Sequence, residues 1–235
     1  MDFATYFPIW DKLTPAQQKK IEDATYFREV PKGMVLHSGE TNCLGIVLIE
    51  SGQLRAYSIS SEGREVTLYR LFEMDTCIFT ASCAMPNIMF DMVIEAEKDS
   101  EVMIIPPDVY NAVLMESAPF ANHHNQVISS RFSDVMWMME QIMWKSFDKR
   151  LAAFLLEESA LEETEVLKIT HEKIANHMGT AREVVTRMLK YFQNEGLVKL
   201  TRGAVELIDI QGLRNLQAYQ KERPLGPFFF WVKHC

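Results

Sequence analysis

Arg182, Glu183, Thr186, Arg187 and Lys190 share one arc of a helix, while Val184, Val185, Met188, Leu189 and Phe192 fall opposite, at the rotation of about 100° per residue that a helix imposes. Arginine can donate two parallel hydrogen bonds to guanine O6 and N7, glutamate can accept from cytosine N4, and threonine can offer a hydroxyl or a methyl to thymine. The chemistry in view is readout of base edges in a DNA major groove, with Arg182, Glu183, Thr186 and Arg187 as readers. Thr180, Lys190, Lys199 and Arg202 suit phosphate contacts, which position without specifying; Lys199 and Arg202 can equally be ordinary surface charge. Glu183 also has a second reading, because Thr180 and Glu183 form a T-x-x-E capping box. Arg187, one turn beyond Glu183 on the same face, favours base reading.

A second group of residues could sense rather than read. Cys77, Ile78, Phe79, Ser82 and Cys83 form a short apolar segment with two thiols, the candidate effector region. A redox or metal role needs that segment to fold back. Six residues separate the thiols by ~20 Å along a strand, and on a helix they would lie on different faces. The plainer reading makes both cysteines small core residues. His123, His124 and His171 are expected as exposed helical histidines, not ligands, and no metal site or cofactor is assigned. An enzyme is not expected: no G-x-S-x-G, Walker or H-E-x-x-H pattern occurs, and no histidine lies between Leu44 and Ile105. The alternatives are a cupin-like β-barrel metalloenzyme, which needs strand histidines, or a cyclic-nucleotide-type signalling scaffold without DNA binding, which leaves the reading helix unexplained.

The reading helix needs a frame. Thr170 can cap a helix through Met178, Gly179 supplies a turn, and Thr180 starts a helix running to Asn194, closed by Gly196. Ile174, Ala175, Met178, Val185 and Met188 have the sizes and spacing of a helix-turn-helix. Leu197 to Leu200 and Val205 to Ile208 then read as strands around Thr201-Arg202-Gly203, a wing with a basic tip.

Upstream, Leu44 to Glu50, Gln53 to Ile59, Glu65 to Phe72, Phe90 to Ala96 and Glu101 to Ile105 carry strand signals divided by turn residues. They predict an antiparallel, jelly-roll-like barrel. Asp108 is a candidate N-cap for a short helix through Glu116. From Pro119 a long helix follows, with Ala121, Asn125, Ile128, Phe132, Val135, Met139 and Ile142 in alternating steps of four and three. That is the spacing of a coiled-coil seam, so the helix is expected to form a homodimer through Ile128, Phe132, Val135, Met139 and Ile142; burial within one chain is the competing reading. Asp148 reads as the N-cap of a further helix, Lys149 to Glu158, which makes Ser146 to Asp148 a hinge candidate.

Charge divides the same way. Met1 to Leu167 holds 13 Lys and Arg against 26 Asp and Glu, a net of −13, whereas the remainder is net +5 within a chain of −8. Only the second part is fit to approach a polyanion. The expected organisation is an α+β chain with a sensor over 1–118, a dimerisation helix over 119–146 and a winged helix-turn-helix over 147–235. At 235 residues with 48% hydrophobic and 24% charged content, secreted disulfide-rich, collagenous and disordered classes are excluded. No apolar run reaches the ~18 residues of a membrane span, and the first residues lack the features of a signal peptide, so no membrane partner and a cytoplasmic location are expected. The aromatic tail Phe228 to Trp231 has no assigned role.

This order of parts resembles the Crp/Fnr superfamily of bacterial transcription regulators, from about Phe7 to about Leu213. The most specific stretch is Ile169 to Val198, joined by Gly39-Glu40 and Ser51-Gly52-Gln53-Leu54. Glu183-Val184-Val185-Thr186-Arg187 matches the family's E-x-x-[ST/G]-R reader. Arg182 is similar to the arginine of the cyclic-AMP-responsive branch, and Thr186 is closer to the serine of the oxygen-responsive branch. The resemblance implies dimeric binding to palindromes with TGA-containing half-sites, control by an effector at the sensor and contact with RNA polymerase. The chain departs from the family where a cyclic nucleotide would bind. No Lys or Arg occurs from Leu71 to Glu97, so a phosphate would meet Glu73, Asp75 and Asp91 unopposed. Cyclic AMP is therefore not expected as the effector; a neutral, cationic, metal or redox input is. The oxygen-responsive branch's N-terminal cysteines are also missing.

Overall fold

The structure is a computed structural model that describes residues 3–38, 44–80 and 92–218. Gly39, Glu40, Cys43, Ser82, Cys83, Asp91 and the aromatic tail lie outside the described residues. Two compact units emerge: one holds the residues up to Trp144 together with Glu172–Arg182, the other Lys145–His171 and the residues from Glu183 onward.

Among the described residues of the first unit, eight strands make two antiparallel four-stranded sheets: β1 (Tyr26–Val30), β2 (Val35–Ser38), β3 (Ile46–Ser51), β4 (Leu54–Ile59), β5 (Glu65–Leu71), β6 (Thr76–Cys77), β7 (Val93–Ala96) and β8 (Ser100–Ile105). One sheet runs β1-β8-β3-β6 and the other β2-β7-β4-β5. Among the described residues the sheets do not pair edge to edge, so the expected barrel is an open jelly-roll-like sandwich.

The apolar runs of β3 and β8 follow from their position. Val47 and Ile49 of β3, with Val102 and Ile104 of β8, face Leu54, Ala56, Leu71 and Ile94 of the second sheet. Ile46, Leu48, Met103 and Ile105 point the other way, into a cluster with Phe7, Ile21, Tyr110 and Phe120. Alternation by two with both faces covered gives a run without polar positions, Ile46 to Ile49 in β3 and Val102 to Ile105 in β8. The β3–β4 turn depends on Gly52, whose φ is +94° and where a Cβ would collide with Ser100 and the Asp99 carbonyl.

Helices cover the outer face of the β1-β8-β3-β6 sheet. α1 (Phe3–Tyr6) and α2 (Pro15–Ala24) precede the sheets, with α3 (Pro107–Glu116) and α4 (Ala118–Trp144) after them. α2 is fixed by a capping box in which Gln17 N donates to Thr14 Oγ1 at 3.3 Å and Thr14 N donates to Gln17 Oε1 at 3.0 Å. Asp108 does not cap α3. Pro106 holds that position without a side-chain bond, and Asp108 sits in the first turn.

In the second unit, α5 (Phe147–Leu161) begins after two intervening residues, with Ser146 rather than Asp148 at its N-cap. A three-stranded sheet, β10 (Val198–Thr201), β11 (Ala204–Leu207) and β9 (Val166–Leu167), forms the wing, followed by α8 (Ile210–Ala218). α6 (His171–Met178), which counts with the first unit from Glu172 onward, and α7 (Arg182–Asn194), which counts with the second from Glu183 onward, are the successive helices of the helix-turn-helix segment. The turn between them contains Gly179 at φ +63°.

Among the described residues, no helix is long and apolar enough to cross a membrane.

Candidate nucleic-acid interface

α7 is held by one face and offers the other. Val185, Leu189 and Phe192 are completely buried, which anchors the helix through the stripe opposite the polar arc. Arg182, Glu183, Arg187 and Lys190 are exposed. Thr186 lies between them but is half-buried, and its Oγ1 is 2.9 Å from Nδ1 of His171. Thr180 falls two residues ahead of the helix, which opens at Arg182 rather than at Thr180.

The wing is tied to α7. Leu200 N donates to Gln193 Oε1 at 2.9 Å, and Leu197 N to the Phe192 carbonyl at 2.9 Å, so β10 leaves the end of α7 in a fixed direction. At the wing tip Arg202 is exposed beside Gly203, whose φ of +76° makes the tight reversal. Lys199 pairs with Glu206 across the hairpin at 3.2 Å, so part of its charge is already met.

The described part of the candidate effector segment, Cys77 to Phe79, is core. Cys77 and Ile78 are buried and Phe79 is half-buried against both apolar clusters. Burial pushes the Cys77 thiol up, away from the thiolate that redox or metal chemistry needs. Sequence reasoning missed Arg131 of α4. Its Nη2 is 2.9 Å from Asp75 Oδ1, its Nη1 is 3.1 Å from Asp134 Oδ2, and its guanidinium lies over the Tyr69 ring at 5.3 Å. Asp75 therefore does have a cation, supplied from another element. Arg131 nonetheless faces two carboxylates, so the local balance stays acidic. The available signal was register: Arg131 is the sole Lys or Arg between Pro119 and Trp144, three residues past Ile128 and four before Val135.

Those two neighbours divide the seam. Ile128 packs partly on the helix-covered cluster and Val135 on the inter-sheet cluster. Phe132, Met136, Met139, Ile142 and Met143 are exposed, with Phe132 at 64%. The seam's sensor-facing edge is thus used within the chain, and Phe132, Met136, Met139 and Met143 keep a four-three-four spacing on the open side.

The histidines are not the exposed set expected. His124 is buried with its Nδ1 3.0 Å from the Tyr110 hydroxyl, and His123 packs edge-on against Phe7. Both are pushed down by burial. That cover comes from α3, which the sequence anticipated, and from the N-terminal segment around Phe7, which it did not.

A buried polar cluster lies within the first unit on the β4–β5 face. Arg55 donates to Glu65 and Thr67, each at 2.7 Å, and Arg70 and Gln53 both donate to Glu97, each at 2.7 Å. His177 of α6 joins it, with Nδ1 2.9 Å from Thr67 Oγ1 and Nε2 3.4 Å from Glu97 Oε1.

Residues 149–216 match the model of the Crp-like helix-turn-helix domain. A solved structure described as a transcriptional regulator of the crp/fnr family, from Eubacterium rectale, is 55% identical with a TM-score of 0.89, covering 91% of this chain and 99% of that one. The transcriptional regulatory protein Btr of Bordetella pertussis is 30% identical over 128 residues, 52% of this chain and 53% of the relative, so that match spans about half of the relative's length. The transcriptional activator protein FnrA of Stutzerimonas stutzeri is 25% identical over 78% of this chain and 80% of the relative.

Proposed function

From the premise that the chain belongs to the Crp/Fnr family of transcription regulators, we propose that it is a homodimeric, sequence-specific DNA-binding regulator acting on palindromes with TGA-like half-sites. The observation that carries this reading is the two-faced α7: three fully buried apolar anchors on one side, and exposed Arg182, Glu183 and Arg187 on the other. A helix so fixed can enter a major groove with its N-terminal half and present side chains to base edges. Arg182, Glu183, Thr186 and Arg187 read bases, while Thr180, Lys190, Lys199 and Arg202 contact phosphates. Dimerisation uses the open side of the α4 seam, so that two copies of α7 meet two half-sites. The working division is a sensor over 1–118, a dimerisation helix over 119–146 and a DNA-binding domain over 147–235. RNA polymerase is the expected protein partner.

The effector is not a cyclic nucleotide. Arg131, which pairs with Asp75 beside the candidate segment, is also engaged by Asp134, so a nucleotide phosphate would have to displace two carboxylates to reach it. An uncharged or cationic ligand fits that balance better, and the burial of Cys77 argues against it as a redox trigger.

The test is capture of genomic DNA fragments by the purified full-length protein, followed by sequencing. Enrichment of an inverted repeat supports the proposal. Uniform recovery of fragments, or none, would refute it.

A further inference from the structure

We propose that His171, the first residue of α6, is a positioning residue that commits the hydroxyl of Thr186 and thereby leaves Thr186 to read thymine through its methyl group. The inference rests on the DNA-binding reading given above and deepens it. Four polar residues of the α7 arc are exposed, but Thr186 is half-buried, with Oγ1 2.9 Å from His171 Nδ1. His171 is half-buried as well.

One torsion of Thr186 couples its two ends. Threonine carries two heavy atoms on Cβ, so χ1 sets the hydroxyl and the methyl together. Holding Oγ1 against the imidazole therefore also fixes where Cγ2 points; rotation to another staggered well would break the 2.9 Å contact. The result holds for either tautomer. With Nδ1 unprotonated, the threonine hydroxyl donates to it; with a proton on Nδ1, the ring donates to the hydroxyl oxygen. In both cases the polar end of Thr186 is engaged inside the protein. A base edge then meets an apolar group, and the base that offers a matching apolar group in the major groove is thymine, through its C5 methyl. His171 touches no base in this scheme. It sets selectivity at one step by holding Thr186.

The experiment selects binding sites from random DNA with the full-length protein, then measures affinity on the selected operator and on random DNA. The parent should prefer thymine at one position per half-site. Replacing that thymine by deoxyuridine, which removes only the methyl, should cost about fourfold, the burial of one carbon. Thr186→Ser, which keeps the hydroxyl and loses the methyl, should cost the same on the thymine operator and nothing further on the deoxyuridine one. His171→Ala should flatten the preference at this position and no other, with affinity for random DNA unchanged. His171→Asn, whose amide can stand in for Nδ1, should restore it.

Equal losses on operator and random DNA from His171→Ala would overturn the proposal, as would full retention of the thymine preference in Thr186→Ser. A parent that selects no sequence would overturn the DNA-binding reading itself. A parent that selects an operator, with an unchanged profile in His171→Ala, would overturn this inference alone.

Discussion

Arg131 in the middle of α4 and Asp75 in the loop before β6 meet at 2.9 Å, joining the long helix to the sheet that carries the candidate effector segment. Arg131 keeps 14% of its side-chain exposure and Asp75 33%, and the Arg131 Nε is buried without a hydrogen-bond partner. Removing one member leaves the other partly buried and less well satisfied, whereas removing both does not. Asp75→Asn should destabilise the protein by about 2 kcal/mol, less than a fully buried pair because water reaches the carboxylate. The double variant Asp75→Asn, Arg131→Met should lose less than the sum of its two single variants. Urea unfolding of the four proteins measures this, and strict additivity would show that the two groups are energetically independent.

The same pair bears on ligand choice. With Arg131 engaged by Asp75 and Asp134, titration of cyclic AMP into the protein should give no heat, and the nucleotide should leave operator affinity unchanged. Micromolar binding accompanied by tighter operator binding would mean that a phosphate can displace both carboxylates.

What could be read from sequence was whatever repeats with a period. α7 has a clean apolar stripe at Val185, Leu189 and Phe192, and the wing strands flank a Gly turn, so both were located to within two residues. The centres of β3, β4, β5 and β8 were legible for the same reason. β1 was not, because Tyr26 and Phe27 are both substantially exposed and only Val30 of that strand is buried, leaving no alternation to detect. β6 has two residues and no period at all. α2 was missed although Thr14-Pro15-Ala16-Gln17 carries its capping box, since its interior buries only Ile21. In the candidate site, the reading arc was visible as a helical face. The tertiary contacts were not: His171 reaches Thr186 across fifteen residues, and Arg131 reaches Asp75 across fifty-six. Such pairs depend on tertiary placement, which local spacing does not encode.

Dimerisation follows from the open side of α4. Phe132 and Met139 are 64% and 44% exposed, and a soluble helix gains little from showing such side chains to water. Replacing both with Glu should convert a dimer to a monomer in sedimentation velocity and sharply weaken operator binding, with the circular dichroism unchanged because neither residue is in the core. A parent that sediments as a monomer at micromolar concentration would contradict the seam.

Acid should destabilise the first unit through His177. Burial lowers its pKa, with Arg70, Arg55 and Lys173 adding to the effect, to about 2, against an ordinary value of 6.5. Glu97 faces it but is already taken by Arg70 and Gln53. The folded protein therefore binds fewer protons than the unfolded chain once the pH falls below about 6.5, so stability is unaffected above that pH and lost below it, at about 1.4 kcal/mol per pH unit for this one group. Urea unfolding at pH 7.5 and 5.5 should show a larger drop for the parent than for His177→Gln. Equal drops would assign the acid sensitivity elsewhere, His124 and His123 being the next groups held down by burial.

Arg187 and Arg202 should separate reading from holding. Both are exposed arginines, but Arg187 projects from the polar arc of α7 one turn beyond Glu183, whereas Arg202 sits at the tip of the wing. A guanidinium on a recognition helix can form two bonds to one guanine, and its loss costs about 1 to 3 kcal/mol at that base pair. A guanidinium on a phosphate meets the same charge on every sequence. Arg187→Ala should therefore reduce operator affinity and broaden the base preference at one position per half-site, leaving random DNA little affected. Arg202→Ala should weaken operator and random DNA alike and reduce the slope of log affinity against log salt by about one ion. Titrations on both DNAs across a salt series distinguish the two. Equal losses on operator and random DNA from Arg187→Ala would remove it from the reading face.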